Sequence, residues 1–302
     1  MRRHAGMNRP FFLNFALIIW LVMLSVTLSA QESIRKPTHD ILATGSGRVV
    51  LFSPDFETIW EYPAGNIHDA QRLPNGNILF ADGKVTEVTR DKKVVFQYAP
   101  PAGEEGSFTC QRLESGNTVI GENFSGMVKE IAPDGSVAFE LQTRFKTENR
   151  HHRMRWVRKL KTGNYLVCHS GDRLVREYAP DGAVVWEYET PNIAFAALRL
   201  ENGNTLISSL DQITEVDPKG KTTWEFKKSE LPDLNITNMT GFYVRKNGNL
   251  VIGCYAAYGK EGEGSGMFEI SRDKKPVWKY GRRTDGQKID RNMMGVQLLE
   301  PL

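Results

Sequence analysis

Apolar and polar residues alternate along most of the chain in a unit that recurs six times. Each copy begins with an apolar residue, a variable residue, a position that is usually Glu, and a second apolar residue. A tight turn follows, and an aromatic residue stands five positions after the turn's Asp or Lys. Alternation with a period of two predicts β-strands, and a turn such as Pro-Asp-Gly between two such runs predicts a β-hairpin. The six aromatic residues are Trp60, Phe96, Phe139, Trp186, Trp224 and Trp278.

A second hairpin precedes the first in five of the copies. Its turn contains Gly-Asn between two apolar runs, for which we expect a two-residue turn with positive φ. The five segments are QRLPNGNIL, QRLESGNTV, RKLKTGNYL, RLENGNTLI and VRKNGNLVI. Each unit therefore has four strands. The successive aromatic residues stand 36, 43, 47, 38 and 54 positions apart, which matches the blade of a β-propeller at about 40–50 residues.

The missing sixth Gly-Asn turn indicates how the ring closes. The chain ends on GVQLLEPL, which looks like the strand before such a turn, and DILATGSGRVV near the start looks like the strand after it. We therefore predict that the strand near Val296–Leu299 pairs with the strand near Ile41–Thr44, which leaves no exposed sheet edge. The predicted fold is an all-β, six-bladed propeller with four-stranded blades over residues 41–302.

Glutamate recurs at one position of the third strand in five copies. The alternation allows two interpretations, a functional ring of acids or the solvated face of an outer strand, and it favours the solvated face because outer strands often have one wet side. Arg176 is expected on the same wet surface. The recurring residues are Glu87, Glu130, Glu177, Glu215 and Glu269.

The first thirty residues have the layout of a secretory signal peptide. Arg2, Arg3 and Arg9 precede an apolar run from Phe11 to Leu24, and small residues lead to Ala30. This pattern predicts a signal peptide over residues 1–30, a short linker over 31–40 and an exported protein, periplasmic or extracellular, with no membrane span after cleavage. An uncleaved signal anchor is the alternative, although the apolar run is short for a full span.

Charge and cysteine content narrow the partners further. Removing the three arginines of the first thirty residues from the 39 basic residues leaves 36, equal to the 36 acidic residues. A net charge near zero argues against a nucleic-acid partner. The three cysteines, Cys110, Cys168 and Cys254, are far apart without metal-ligand spacing. They leave room for one disulfide after export but predict no metal site.

The propeller topology sorts the loops into two ends. The Gly-Asn and Asp turns lie on one end, here called the turn face. The interblade connections and the loops inside each blade lie on the other, the connection face, which is irregular and the better candidate for function. Four histidines and two acidic residues are expected there, with ordinary hydrogen-bonded loop residues as the alternative: His68, His151, His152, His169, Asp82 and Glu122.

A basic segment runs from Arg144 to Lys161 around His151 and His152. Its arginines, above all Arg153 and Arg155, could hold an anion such as sulfate, phosphate or an acidic sugar through bidentate contacts. A solvated charge run is the alternative. The Gly-rich loop from Tyr255 to Gly266 on the same face lacks a phosphate-binding pattern and is expected to act as a flap.

The pattern RLENGNTLI followed by EVDPKGKTTWEF resembles pyrroloquinoline-quinone-like propeller repeats and bacterial arylsulfotransferase-type propellers, over residues 41–302. Quinone-dependent members of the first group have eight blades and an adjacent cysteine pair, so six blades without that pair imply no quinone cofactor. The second group implies an exported six-bladed propeller with a histidine nucleophile in the channel. His68 is then the candidate nucleophile, with His151, His152 and Arg153 as helpers.

The sequence therefore supports two functional hypotheses. The leading one is a monomeric, exported, non-catalytic module that binds a small anionic ligand, a glycan or a protein at its connection face. The alternative is an arylsulfotransferase-like transferase or hydrolase working at His68. An enzyme should bring several His and Arg side chains together at the channel mouth, whereas scattered histidines would favour binding alone.

Overall fold

The computed structural model of the protein describes Met1 and residues 35–65, 67–104, 106–255, 266–280 and 292–300. The chain forms two compact units, Met1–Arg35 and Lys36–Leu302. The predicted signal peptide, and the predicted flap between Tyr255 and Gly266, lie outside the described residues. In the part of the chain that is described, no helix has the length and apolar character needed to cross a bilayer.

The described residues of the second unit form 24 β-strands in six four-stranded antiparallel sheets. The strands of the first half are β1 (Ile41–Gly45), β2 (Arg48–Phe52), β3 (Thr58–Pro63), β4 (Asp69–Arg72), β5 (Ile78–Ala81), β6 (Val85–Val88), β7 (Val94–Tyr98), β8 (Ser107–Arg112), β9 (Thr118–Glu122), β10 (Met127–Ile131) and β11 (Val137–Gln142).

The strands of the second half are β12 (Trp156–Lys159), β13 (Tyr165–His169), β14 (Leu174–Tyr178), β15 (Val184–Glu189), β16 (Ala196–Arg199), β17 (Thr205–Ser208), β18 (Gln212–Val216), β19 (Thr222–Lys227), β20 (Asn238–Val244), β21 (Leu250–Tyr255), β22 (Met267–Ile270), β23 (Pro276–Lys279) and β24 (Gly295–Leu298). Among the described connections, three contain a short 3₁₀ helix: Arg150–His152, Lys228–Glu230 and Pro232–Leu234.

The sheets are the blades of a six-bladed β-propeller, as predicted. Blade 1 has the order β24-β1-β2-β3, and blades 2 to 6 follow along the chain from β4 to β23. In blades 2 to 6 the first strand along the chain is innermost, and in blade 1 the innermost strand is β24. These six strands contact one another around the axis. The predicted closure is confirmed, because β24 pairs with β1 from Ile41 opposite Leu298 to Thr44 opposite Gly295.

The hairpin loops are one residue longer than the sequence suggested. In the Gly-Asn turn of blade 2, the amide of Gly76 donates to the carbonyl of Leu73 (2.9 Å), and the amide of Leu73 donates to the carbonyl of Asn77 (2.8 Å). Three residues therefore separate the paired ones, and Gly76 has φ 84°. A type I turn followed by a left-handed residue is a standard three-residue hairpin, so the expected two-residue turn was wrong.

The recurring glutamates are buried, so the prediction of a solvated face was wrong for them. It was also wrong for Arg176, which is buried and donates to Glu187 and to the carbonyl of Arg144. Each glutamate accepts a hydrogen bond from the side chain of the Asn of its blade's Gly-Asn turn, at 2.6–3.3 Å. The pairs are Asn77–Glu87, Asn117–Glu130, Asn164–Glu177, Asn204–Glu215 and Asn249–Glu269.

A cation completes each of these joints. In blades 2 to 4 it comes from the innermost strand of the next blade, so the joint ties two blades together: Arg112 to Glu87, Lys159 to Glu130 and Arg199 to Glu177. Glu215 is held by Arg272 of blade 6, and Glu269 by Arg245 of its own blade. Burial alone would raise the pKa of Glu130, but the hydrogen bonds from Lys159, Tyr165 and Asn117 outweigh burial and lower it.

The recurring aromatic residues dock neighbouring blades. The indole nitrogens of Trp60, Trp186 and Trp224 each donate to a backbone carbonyl in the Asp turn of the next blade, at 2.8–3.1 Å. Blade 6 meets blade 1 through aromatic rings, with Trp278 5.8 Å from Phe56 between centroids. Three interfaces therefore combine ring contact with an indole hydrogen bond, and blades 6 and 1 meet through aromatic rings.

We expect deletion of residues 296–302 to lower the melting temperature strongly. The deletion removes most of β24, exposes the hydrogen-bonding edge of β1 and loses the buried side chain of Leu298, which alone contributes about 1.5–3 kcal/mol. Thermal unfolding followed by circular dichroism measures the effect. Val296→Thr, which keeps the strand pairing, is the control, and a deletion variant that melts like the parent protein would contradict the closure.

Candidate functional site

The innermost strands form an axial channel that narrows toward the connection face. Their first residues, such as Asp69 in β4 and Trp156 in β12, are buried, whereas later residues such as Gln71 and Arg158 are half-exposed. The channel is therefore more accessible from the regular turn face than from the irregular connection face, where function was expected.

Four side chains from consecutive blades meet at the narrow end. We call them the His68 cluster: His68 of blade 2, Phe108 of blade 3, Arg155 of blade 4 and Phe195 of blade 5. The His68 ring lies 4.6 Å from Phe108 and 5.7 Å from Phe195 between centroids. The Arg155 guanidinium lies 5.3 Å from the centroid of each Phe ring. Because blades 2 and 5 face each other across the axis, the cluster closes the channel at this end.

The repeat register explains why these four residues meet. Each stands nine residues before the Asn of its blade's Gly-Asn turn: Asn77, Asn117, Asn164 and Asn204. Residues at equal distance from that turn lie at equal height on the axis. The sequence interpretation selected His68 and Arg155 but missed Phe108 and Phe195, although counting back from the turns would have identified both.

His68 is the unusual member of the cluster. It is 5% exposed, and within the described part of the chain neither ring nitrogen has a hydrogen-bond partner. A buried polar atom without a partner is rare in native proteins and costs about 1–3 kcal/mol. Burial, and then the electrostatic effect of Arg155 and His151, holds the pKa of His68 well below its ordinary value. The imidazole is therefore neutral at pH 7, with one donor and one acceptor nitrogen.

His151 and His152 lead from this cluster toward the surface. The His151 ring lies 5.6 Å from Phe108 and 5.0 Å from the His152 ring, between centroids. Both histidines are half-buried, in the 3₁₀ helix Arg150–His152. The Nδ1 atom of His152 lies 3.3 Å from the hydroxyl of Ser170. The structure thus brings together three of the four histidines singled out from the sequence.

Arg153 has a different environment from Arg155. Its guanidinium lies 4.5 Å from the Phe145 centroid and donates to the carbonyl of Phe124 at 2.7 Å. Those two aromatic residues lie in loops around blade 3, not in the His68 cluster. The sequence assigned both arginines to an anion site, and the structure groups only Arg155 with His68.

His169 has both ring nitrogens engaged. Nδ1 lies 2.7 Å from the carbonyl of Arg153 and Nε2 lies 2.9 Å from the hydroxyl of Tyr178. Since a carbonyl only accepts, Nδ1 carries the hydrogen. Burial is the main cause that lowers the pKa of His169 to about 4, so at pH 7 Nε2 accepts from Tyr178. These contacts hold the connection between blades 3 and 4 in place.

The two acidic candidates are also committed to local contacts. Glu122 is buried and accepts from the hydroxyl of Tyr98 and from the ammonium of Lys129 at 2.8 Å. Asp82 accepts from the amide of Gly65 at 3.3 Å and lines a surface groove between blades. Neither carboxylate belongs to the His68 cluster.

An ion pair that the sequence did not indicate lies directly below the cluster. Both carboxylate oxygens of Asp69 contact the Arg158 guanidinium, at 2.9 and 3.0 Å. One of these oxygens also accepts from the amide of Cys110 at 2.9 Å. Arg158 lies 4.0 Å from the Trp156 centroid. This pair links blades 2, 3 and 4 across the channel.

Metal binding and cysteine chemistry have little support among the described residues. No group of three or more His, Cys, Asp or Glu side chains there lies close enough to hold a metal ion. Cys110, Cys168 and Cys254 are all buried as free thiols. The arrangement offers a hydrogen-bonding imidazole and nearby cations rather than a ligand set for a metal.

The chain matches no protein-family model, and its sequence matches no curated protein. Solved structures are similar. A protein of unknown function from Bacteroides caccae has a TM-score of 0.73 at 23% identity, over 86% of this chain and 98% of that one. Virginiamycin B lyase from Staphylococcus aureus has a TM-score of 0.55 at 12% identity, over 83% of this chain and 86% of that one.

A catalytically inactive variant of the same lyase, with quinupristin, has a TM-score of 0.56 at 11% identity, over 85% of this chain and 88% of that one. Identities this low show a shared fold alone. The sequence resemblance to quinone-type and arylsulfotransferase-type repeats is therefore supported at the level of the six-bladed propeller, and the finer assignment stays a prediction.

Two matched substitutions separate His68 from His169. We expect His68→Phe to leave the melting temperature unchanged or to raise it, because phenylalanine fills the space between two rings and removes two buried nitrogens that lack partners. His169→Phe should destabilise the protein by about 1–3 kcal/mol, because it leaves the Arg153 carbonyl without its donor. Chemical denaturation at pH 7 measures both.

The free energy of unfolding of the parent protein and of these variants should also change with pH in a defined direction. The lowered pKa of His169, about 4, lies below the ordinary value of 6.5, so the unfolded chain takes up a proton first as the pH falls. His68 acts in the same direction. The free energy of unfolding should therefore fall between about pH 6.5 and pH 4. His68→Phe should weaken that dependence, and an unchanged slope would contradict a neutral buried His68.

Proposed function

We propose that this protein is a binding module for a small anionic ligand, held at the connection-face end of the channel against His68. One observation carries the proposal: among the described residues, a nearly fully buried imidazole has no hydrogen-bond partner at either nitrogen. A ligand oxygen at this position would satisfy the donor nitrogen and remove the cost of leaving it unpaired.

The neighbouring charges favour an anion. The Arg155 guanidinium shares the Phe108 and Phe195 rings with His68, and its positive charge adds to burial in lowering the pKa of His68. An anion here would be held by charge-assisted hydrogen bonds, which are shorter and stronger than neutral ones. His151 and His152 are half-buried, and the His151 ring lies 5.6 Å from the Phe108 ring of the cluster.

Anion binding should be linked to proton uptake. A bound negative charge favours the protonated imidazole and raises the pKa of His68. The affinity for the anion should therefore increase as the pH falls. A ligand that binds without involving His68 has no such linkage at this residue.

Isothermal titration with sodium sulfate and with inorganic phosphate tests the proposal. Titration in two buffers of different ionisation enthalpy measures the protons taken up. We expect saturable binding that is tighter at pH 6 than at pH 8, and at least about tenfold weaker in His68→Phe, which corresponds to about 1.4 kcal/mol. His39→Phe carries the same substitution outside the cluster and should bind like the parent protein.

The two arginines can be separated in the same assay. Arg155→Met should weaken sulfate binding more than Arg153→Met, because only the Arg155 guanidinium shares the Phe108 and Phe195 rings with His68. Binding that is lost in Arg153→Met and kept in Arg155→Met would place the anion elsewhere. Absence of saturable sulfate and phosphate binding in the parent protein would reject the anion site.

The neutral imidazole of His68, which has no hydrogen-bond partner among the described residues, also favours a second candidate, sulfuryl transfer at this residue. A neutral ring nitrogen can attack the sulfur of an aryl sulfate and release the phenolate, and an acceptor phenol would then take the sulfuryl group. Release of p-nitrophenolate from p-nitrophenyl sulfate, dependent on an added phenol and lost in His68→Ala, would establish the enzyme. No turnover by a parent protein that binds sulfate would leave the binding module.

We further propose that the protein is exported, with its first thirty residues removed. The basic start and apolar run of the sequence support this proposal. Expression of the full chain in a Gram-negative host, followed by fractionation and intact-mass measurement, tests it. A periplasmic species that lacks about the first thirty residues is expected, and a full-length cytoplasmic species would contradict it.

A further inference from the structure

The wide part of the axial channel is a cavity of about 240 Å³ below the His68 cluster, lined by five of the six innermost strands. Six residues at equal height surround the axis there, because each occupies the same position of its innermost strand, two residues after the Asp69 position of blade 2. We call them the Gln71 layer: Gln71, Gln111, Arg158, Leu198, Tyr243 and Gln297. All except Gln111 line the cavity.

The glutamine side chains of this layer have a fixed orientation. The side-chain oxygen of Gln71 accepts from the backbone amide of Arg112 at 3.0 Å, and that of Gln297 accepts from the amide of Arg72 at 2.9 Å. Each oxygen is therefore committed to the next blade, and the NH₂ group of each side chain is left as a donor. Neither NH₂ group has a partner among the residues that the structure describes.

Opposite the two glutamines, the cavity wall is formed by aromatic and aliphatic side chains, and its charged side chains nearly balance each other. Arg158 is the cation of the layer, and Asp69 balances its charge through contacts of 2.9 and 3.0 Å. Trp156, Phe242 and Leu198 supply apolar surface beside this pair. The cavity thus combines fixed amide donors on one side with ring and aliphatic surface on the other, and its walls add little net charge.

We propose that this cavity binds one uncharged sugar ring, which enters from the turn face. Ring hydroxyls accept from the amide groups of Gln71 and Gln297 and donate to remaining acceptors, while the C–H face of the ring packs on the apolar wall. A volume of about 240 Å³ corresponds to about eight water molecules at ~30 Å³ each, which is room for a single ring. The balanced Asp69–Arg158 pair favours an uncharged ligand over an anion.

The direction of entry follows from burial. Strand β4 becomes more exposed toward its Gly-Asn turn, and Gln71 and Gln297 are half-exposed. The opposite end is closed by the His68 cluster. This site is therefore separate from the proposed anion site and uses different residues.

Saturation-transfer NMR and isothermal titration test the proposal with methyl β-glucoside, methyl β-galactoside and the methyl glycoside of N-acetylglucosamine. At least one should bind saturably. Gln71→Glu is the decisive variant, because a carboxylate keeps the oxygen that holds Arg112 and replaces the donor NH₂ by a second acceptor. We expect it to weaken sugar binding at least about tenfold, since it removes a hydrogen bond and opposes a ligand oxygen.

Gln111→Glu is the matched control. Gln111 occupies the same position in blade 3 and its oxygen accepts from Lys159 in the same way, at 2.8 Å, but it does not line the cavity. This variant should bind the sugar like the parent protein. Equal binding by the Gln71 variant and the parent protein, or no saturable binding of any of the three glycosides to the parent protein, would overturn the proposal.

Leu198→Trp provides a second route that removes no hydrogen bond. The larger side chain fills the cavity and should abolish sugar binding, whereas sulfate binding at the His68 cluster should stay unchanged. Retained sugar binding in this variant would place the sugar outside the channel and overturn the proposal. Melting curves of all three variants, measured beside the parent protein, identify any variant whose loss of binding comes from unfolding.

Discussion

The innermost strand of each blade has one edge without a neighbouring strand, and backbone amides on that edge must find acceptors. At three of the six interfaces the preceding blade supplies an acceptor from a glutamine side chain. Gln297 reaches Arg72, Gln71 reaches Arg112, and Gln111 reaches Lys159, each at 2.8–3.0 Å. The central channel therefore depends on these side chains, because they join strands that cannot pair directly. Where the glutamine is replaced, in blades 4 to 6, the channel has its aromatic and aliphatic wall.

The buried glutamates of blades 2 to 6 meet a similar need in the third strand of each of these blades. A turn whose last Asn faces inward leaves an amide that needs an acceptor, and the glutamate of the third strand provides it. The carboxylate then needs a cation, which in four interfaces comes from the next blade. Partner removal at such a buried joint is costly because it leaves an uncompensated charge. The repeat therefore preserves the Asn, the Glu and the cation as one unit.

The sequence predicts the blades and the closure well, because both depend on local alternation and on turn residues that recur in register. It fails where the outcome depends on what covers a strand. Alternation places Glu130 on one face of β10, but only the arrival of Lys159 from the next blade determines that this face is dry. For the same reason the sequence identified only part of the candidate site. His68 stands out as a histidine, whereas Phe108 and Asp69 are ordinary residues until four blades bring their neighbours to the axis.

Closure of the ring separates blade 1 from the other five in folding. Their strands are consecutive in the chain, so each can form from a short segment as it leaves the ribosome. Blade 1 requires Gly295 to reach Thr44, 251 positions away. Contacts of such high sequence separation carry a larger loop-closure entropy and form slowly. During synthesis the edge of β1 stays unpaired until the last strand has been made. A nascent chain could pair with another copy at this open edge before its own ring is complete.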